Sequence, residues 1–376
     1  MDIPASENYV AAGQFTPEFW FHPPLNYFLL QGSMKTFGDN PYGWRMKNVL
    51  AGSLSAAALF LLALELCADA RVACAASMLL AIDPLHVFMS RTVLVEVSAV
   101  FFCTLCLYFS LRYFRGSTRS PVPAGFFLGL CVASRWYYLV CVICLFAFAV
   151  FKTFQEKRWR WLNIGHLFSA WVLLPLGMYL LAFAPWFSRG HTLSEFLQMQ
   201  LDAYRELQSL DLQWFASDFL RSSPSSPWGW FLRPLIDGGL VRRDGGLGQF
   251  FVFMNDPPVW LLTFPAAVFM GHRAWKERNR SLAGFVILFL AMYGQFVVVR
   301  RPIFLYSSVT FLPFVCILAA FLVVSLMERW RASAWHYGVA MGAIASWGLY
   351  LYPLVTGRFV PVSLYVPLFA MGNVHF

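Results

Sequence analysis

Residues 48–68 read NVLAGSLSAAALFLLALELCA, and residues 74–90, CAASMLLAIDPLHVFMS, follow after a short turn that carries Arg71. A hydrocarbon core about 30 Å thick needs roughly 20 apolar residues in helical form, so each run is long enough to cross a bilayer or nearly so. Runs of this kind recur along the chain, which rules out a single cleaved leader. Reading apolar stretches bounded by charge or proline predicts ten spans, near 48–68, 74–90, 93–113, 122–136, 137–151, 165–186, 257–275, 282–299, 303–327 and 335–354. Composition agrees: of 376 residues, 59% are hydrophobic and 12% charged, about half the charge of a soluble domain. The chain is read as one all-α polytopic membrane domain over 1–376.

Charge sets the orientation. The loops holding Arg71, Arg112/Arg115/Arg119, Lys152/Lys157/Arg158/Arg160, Arg273/Lys276/Arg278/Arg280 and Arg329/Arg331 share one parity, and short loops rich in lysine and arginine stay in the cytoplasm. The net charge of +9 is therefore topology, and nucleic acid is not a partner. Residues 1–47, the long loop 187–256 and the tail after 355 then lie outside, where function is expected. Residues 1–47 carry Phe19, Trp20, Phe21, Tyr27, Phe28 and Phe37 among few charges, which suits the membrane surface. Residues 195–220 show apolar positions at helical spacing (Phe196, Leu197, Met199, Leu201, Leu207, Leu210), the pattern of an amphipathic helix.

Five arginines break the rule: Arg45, Arg91, Arg135, Arg300 and Arg301 sit at the outer ends of predicted spans. Any one of them could snorkel to headgroups. Together at one depth they suggest a shared anion, and the guanidinium fork suits a phosphate. Asp83 and Glu96 lie within or beside spans, where a carboxylate is costly without a partner. Their expected role is support, holding Arg91 or a residue of the N-terminal loop, and Glu65 is expected beside Arg71. The eight cysteines lie in or next to apolar runs and indicate no metal or redox chemistry. The glycines at 238–239 and 245–248 follow no evident strand and open no helix, so a nucleotide-binding reading fails.

The motifs carry more. His22-Pro23-Pro24-Leu25 precedes Asn40-Pro41-Tyr42-Gly43-Trp44-Arg45. Asp83-Pro84-Leu85 leads through Ser90-Arg91 to Glu96, and Ser134-Arg135-Trp136 follows. Further on stand Ser226-Pro227-Trp228-Gly229-Trp230, Asn255-Asp256-Pro257-Pro258-Val259-Trp260 and Arg300-Arg301-Pro302-Ile303-Phe304-Leu305-Tyr306. In this order they resemble the protein O-mannosyltransferase family of bacterial type, from about residue 4 to 320, with Glu96 where that family has aspartate. The resemblance implies a GT-C type glycosyltransferase of the bacterial plasma membrane with its active site facing outside. It implies transfer of a sugar, mannose by preference, from a polyprenyl-phosphate carrier to a protein serine or threonine, by inverting substitution and without a cofactor. The same motifs also suit a relative that glycosylates a lipid or a lipid-linked glycan.

Inverting substitution needs a base at the acceptor hydroxyl and cations at the departing phosphate. For the phosphate the resemblance points to Arg45, Arg91, Arg135, Arg300, Arg301, His22 and Tyr306, with Asp83 and Glu96 in support. Trp228 and Trp230 are the candidates for an acceptor groove, though interfacial tryptophans are common on any outer loop. The family's base belongs to an Asp-Glu pair before His-Pro-Pro-Leu, and that position falls just upstream of Met1. One further span and the Asp-Glu pair are thus expected ahead of the sequence, with Asp2 or Glu7 poorer candidates. A transporter or flippase is the rival class; it would show an internal repeat and charges near mid-membrane, and neither is seen.

Overall fold

The computed structural model describes residues 22–155, 161–209, 225–232, 235–299, 302–369 and 373–375. Helix α1 (Leu25–Phe37) is followed by α2 (Pro41–Cys67), whose start is fixed locally. Asn40 Oδ1 accepts from the backbone N–H groups of Tyr42 and Gly43 at 2.9 and 3.2 Å, and Pro41 occupies the first turn. Asp69 starts α3 (Ala70–Ile82) by accepting from Arg71 N at 2.8 Å. Pro84 then breaks the run, because its ring forbids a continuous helix. Asp83 caps the next piece, α4 (Pro84–Ser90), through His86 N at 2.9 Å, and the two helices meet at 59°.

The bundle continues with α5 (Glu96–Phe114), the short α6 (Val122–Val132), and a 3-10 turn Trp136–Tyr138 running into α7 (Leu139–Gln155). Next come α8 (Trp161–Phe168), a π turn Ser169–Leu173 and α9 (Leu174–Ala182). Pro175 lacks the N–H that a regular helix would use, and the wider turn ahead of it absorbs the mismatch. After α10 (Ala184–Phe187), α11 (Leu193–Ser209) forms the first part of the amphipathic helix expected over 195–220, and residues 210–220 lie outside the described residues. Phe196, Met199 and Ala203 are buried along one face and Leu197, Leu201 and Tyr204 exposed on the other.

The later part holds α12 (Gly229–Leu232), α13 (Pro257–Leu261), α14 (Thr263–Lys276), α15 (Arg280–Val298) and a 3-10 segment Leu305–Phe311 leading into α16 (Leu312–Arg329), then α17 (Ala334–Val355) and α18 (Val362–Phe369). Residues Leu305–Arg329 form the centre of the bundle. Their most apolar stretch is 89% buried, against 22% for the spans Trp136–Gln155, Ile164–Ala182 and Ala334–Val355, whose apolar sides are left for lipid.

Among the described residues seven helices are long and apolar enough to cross a membrane, or eight with the bent pair at Asp83 counted as one span. The protein is a multi-pass membrane protein. The other two predicted spans, 122–136 and 257–275, are helical over only Val122–Val132 and Thr263–Lys276, the latter preceded by the separate turn Pro257–Leu261. Gly125 lets α6 come close to the turn beside α9: a Cβ there would meet the Ala170 carbonyl oxygen at 1.9 Å.

Two expectations change. A small sheet of order β3-β2-β1-β4 joins the helices, made of β1 (Ile236–Asp244), β2 (Leu247–Met254), β3 (Phe359–Pro361) and β4 (Asn373–His375). β1 and β2 form an antiparallel hairpin around Gly245-Gly246, and Gly245 takes φ +54°, as such tight turns require. Buried Phe250, Val252 and Met254 seat β2 on the bundle, where it packs against α4 and α17. The glycines of 245–248 therefore serve a hairpin. Glu65 pairs with Arg115 at 3.7 Å rather than with Arg71, which binds Asp69 and Glu328. Asp69 is nearer to Arg71 because it caps the same helix.

Candidate active site

At the end of the bundle where α4 gives way to α5, a group of polar side chains is buried together. Glu96 opens α5, placing its carboxylate at a helix N-terminus, where negative charge is favoured. Arg135 follows the end of α6 in extended conformation, and Ser134 Oγ donates to Leu130 O at 2.8 Å to finish that helix. The Arg135 Nη2 group donates to Glu96 Oε1, and Nη1 lies 2.7 Å from His22 Nδ1. The backbone of the His22 segment is tied to the same corner, since Leu25 N donates to Ala133 O at 3.2 Å. Glu96 is 2% and Arg135 8% exposed, so the pair has left water almost entirely.

Two neighbours extend the network. Lys47 Nζ donates to Asn48 Oδ1 at 2.8 Å and to Leu94 O at 3.4 Å. Asn48 Nδ2 donates to Thr92 O at 2.8 Å, and Ser98 Oγ donates to Asn48 Oδ1 at 3.3 Å. These bonds clamp the 91–95 turn that delivers Glu96. Neither residue was singled out from the sequence. The signal was available: in the expected topology a lysine near the start of α2 breaks the charge rule as Arg45 does, and an asparagine one residue on is a second polar group in an apolar run.

The pair is not fully spent. Arg135 Nε and Glu96 Oε2 are buried with no hydrogen-bond partner among the described residues, which is uncommon for charged groups away from water. Beside them opens a cleft of about 600 Å³. His22, Arg135, Tyr179, Gln200, Gln208 and Gln295 supply its polar groups, and Val132, Leu139, Val142, Val172, Pro175 and Leu176 its apolar wall. Trp136, Tyr137, Tyr204 and Val299 complete the lining. A long apolar chain with an anionic head fits such a lining: the wall replaces water around the chain and the arginine meets the anion.

The other expected phosphate ligands are distributed differently. Arg45 is half-buried in the first turn of α2 and Arg91 is exposed at the end of α4, and neither lines the cleft. Tyr306 is half-buried, stacks on Phe304 at 5.6 Å, and stands in the electrostatic neighbourhood of Arg135. Arg300 and Arg301 lie outside the described residues, as do Asp2 and Glu7. The structure corrects the expected carboxylate partners. Glu96 holds Arg135, not Arg91. Asp83 is used as a helix cap and is buried near Asp256, and among the described residues no ion pair joins it to either arginine. Asp256 Oδ1 has no hydrogen-bond partner among the described residues, and burial pushes its carboxyl up to about 6.

Trp230 is corrected too: it is fully buried against Phe296 and Phe311, and its Nε1 donates to Ser225 Oγ at 2.7 Å, so it anchors the 225–232 segment rather than lining a groove. Trp228 is 53% exposed over Phe264 and Tyr293. Among the described residues no group of three or more His, Cys, Asp or Glu side chains is placed to hold a metal ion.

Comparison with known proteins bears out the resemblance read from the motifs. Residues 12–189 match the dolichyl-phosphate-mannose-protein mannosyltransferase family. The chain is 23% identical over 415 residues to the polyprenol-phosphate-mannose–protein mannosyltransferase of Mycolicibacterium smegmatis, covering 91% of this chain and 79% of that protein. It is also 23% identical to undecaprenyl phosphate-alpha-4-amino-4-deoxy-L-arabinose arabinosyl transferase 1 of Pseudomonas fluorescens, over 72% of this chain and 44% of that one. Among solved structures, ArnT from Cupriavidus metallidurans bound to undecaprenyl phosphate superposes with a TM-score of 0.54 at 17% identity, over 93% of this chain. The Archaeoglobus fulgidus oligosaccharyltransferase solved with Zn and sulfate gives a TM-score of 0.54 at 14% identity, over 91% of this chain. The fold is that of the GT-C membrane glycosyltransferases. The chain spans 59% of the ArnT chain and 44% of the oligosaccharyltransferase.

Proposed function

We infer that the chain is a membrane glycosyltransferase that takes a sugar, mannose by preference, from a polyprenyl-phosphate carrier and delivers it to a serine or threonine of a protein. The reaction is read as inverting substitution at the anomeric carbon, on the outer face of a bacterial plasma membrane. The observation that carries the reading is the cleft: an apolar wall ending on a largely buried arginine, Arg135, with His22 beside it. In that geometry the prenyl chain lies along Val142, Val172 and Leu176, and the phosphate meets Arg135 and His22. As the sugar leaves, negative charge grows on the bridging oxygen. A preorganised guanidinium in a water-poor site stabilises that charge without having to reorganise. Glu96 and the clamp at Asn48 hold the guanidinium in place.

The family match and the mycobacterial relative support mannose and a protein acceptor. The arabinosyl transferase relative supports a second reading, in which the carrier is the same and the sugar is an amino-arabinose. Purified protein in proteoliposomes, given polyprenyl-phosphate-[14C]mannose and a threonine-rich peptide, should yield labelled peptide and free polyprenyl phosphate. Label transferred from the arabinose-bearing donor alone would select the second reading. A failure to bind any polyprenyl phosphate would remove both.

A further inference from the structure

One wall of the cleft is formed by helix α11, which contributes Gln200, Tyr204 and Gln208 beside the polar groups His22, Arg135, Tyr179 and Gln295 from other elements. The helix is held there by Phe196, which is buried against Phe183, Phe187 and Trp186 at ring separations of 5.0, 5.2 and 6.1 Å. Beneath it runs a directed chain of hydrogen bonds. Trp136 Nε1 donates to Tyr179 OH at 2.9 Å, and Tyr179 OH donates to Gln200 Oε1 at 2.5 Å.

The polarity of this relay follows from the groups. An indole N–H can only donate, so the Tyr179 oxygen accepts from it and its single proton is left for Gln200. A separation of 2.5 Å suits O–H···O and is too short for an amide N–H, which fixes the oxygen of Gln200 on the tyrosine side. Its NH2 group is thereby turned away from the relay, with no partner among the described residues, on a side chain that lines the cleft.

Three residues in series that aim one amide are more than α11 needs to stay docked, since Phe196 already seats it. A prenyl chain has no use for an amide, and a phosphate is served by Arg135 and His22. What remains of the donor is a ring of hydroxyl groups attached to the phosphate, and hydroxyl oxygens accept from amide N–H groups. We propose that Gln200, aimed by Tyr179 and Trp136, is the sugar-reading group of the cleft, hydrogen-bonding a hydroxyl of the donor's pyranose, with Gln208 beside it on the same face of α11. This rests on the donor reading of the cleft given above.

The test measures binding, so it does not depend on turnover. Affinities of farnesyl phosphate and of its mannosyl ester are measured on the purified full chain in detergent, for wild type, Gln200→Met and Gln200→Glu. Methionine keeps length and neutrality but has no donor. Glutamate keeps an oxygen for Tyr179 and likewise offers the sugar no N–H. Wild type should bind the mannosyl ester about tenfold more tightly than farnesyl phosphate, as one well-placed hydrogen bond allows. In both variants that ratio should fall to within about twofold, with Q200M binding farnesyl phosphate as wild type does and melting within a few degrees of it. A tenfold ratio surviving in Q200M, or a wild type that binds both ligands equally, overturns the proposal and leaves the donor cleft standing. Wild type that binds neither overturns the donor cleft, and the sugar reader with it.

Discussion

Replacing Arg135 by alanine should damage the protein in two separable ways. Arg135 and Glu96 are 8% and 2% exposed and directly bonded, so the substitution leaves a carboxylate buried without its cation. Breaking a buried pair from one side costs about 3–5 kcal/mol of stability. If the guanidinium also holds the donor phosphate, the same change removes charge-assisted hydrogen bonds worth about 1.5–3 kcal/mol, or roughly 10- to 150-fold in affinity for farnesyl phosphate. Changing Glu96 to glutamine as well separates the effects. Glutamine is neutral, so the double variant R135A/E96Q should regain more than half of the lost stability while remaining unable to bind the phosphate. E96Q alone should bind farnesyl phosphate at least as tightly as wild type, because a negative charge near the anion has gone. Stability would be followed by thermal unfolding in detergent and binding by calorimetry. If R135A/E96Q binds farnesyl phosphate like wild type, Arg135 is a structural tie and the phosphate site lies elsewhere.

Three further outcomes are expected. Asn48→Leu strips partners from Thr92 O, Ser98 Oγ and Lys47 Nζ at once; at about 1–3 kcal/mol per orphaned group it should be strongly destabilising, and SDS titration showing less than about 1 kcal/mol would discount the clamp. Trp230→Ala should cost about 3–5 kcal/mol because the ring is fully buried, whereas Trp228→Ala, at an exposed site, should leave the melting temperature nearly unchanged. The Asp256 carboxyl is raised from 3.8 to about 6 by burial, so the fold keeps a proton that the unfolded chain releases. Stability from this group is present at low pH and is lost as pH rises from about 4 through 6. D256N should flatten that part of the melting profile, and a profile unchanged by the variant would refute the assignment.

The membrane class and the long apolar helices were legible in the sequence because a bilayer imposes a length and an apolarity that each spanning helix must meet by itself. The motif residues His22, Glu96 and Arg135 were legible as a set for the same reason that charges near a bilayer always are: each is costly alone. Their pairing was not. Arg135 is 39 positions from Glu96 and 113 from His22, and nothing local distinguishes Glu96 from Asp83 as its partner. The choice was made by packing, which puts the start of α5 beside the end of α6 and leaves Asp83 to cap a bent helix. The small sheet was signalled only by Asp244-Gly245, and its partners β3 and β4 come from more than a hundred residues away. Local composition thus determined what must leave water, because that cost is paid residue by residue. Only the tertiary structure decided which buried groups meet, because hydrogen bonds and clefts belong to pairs and surfaces that no single stretch of sequence contains.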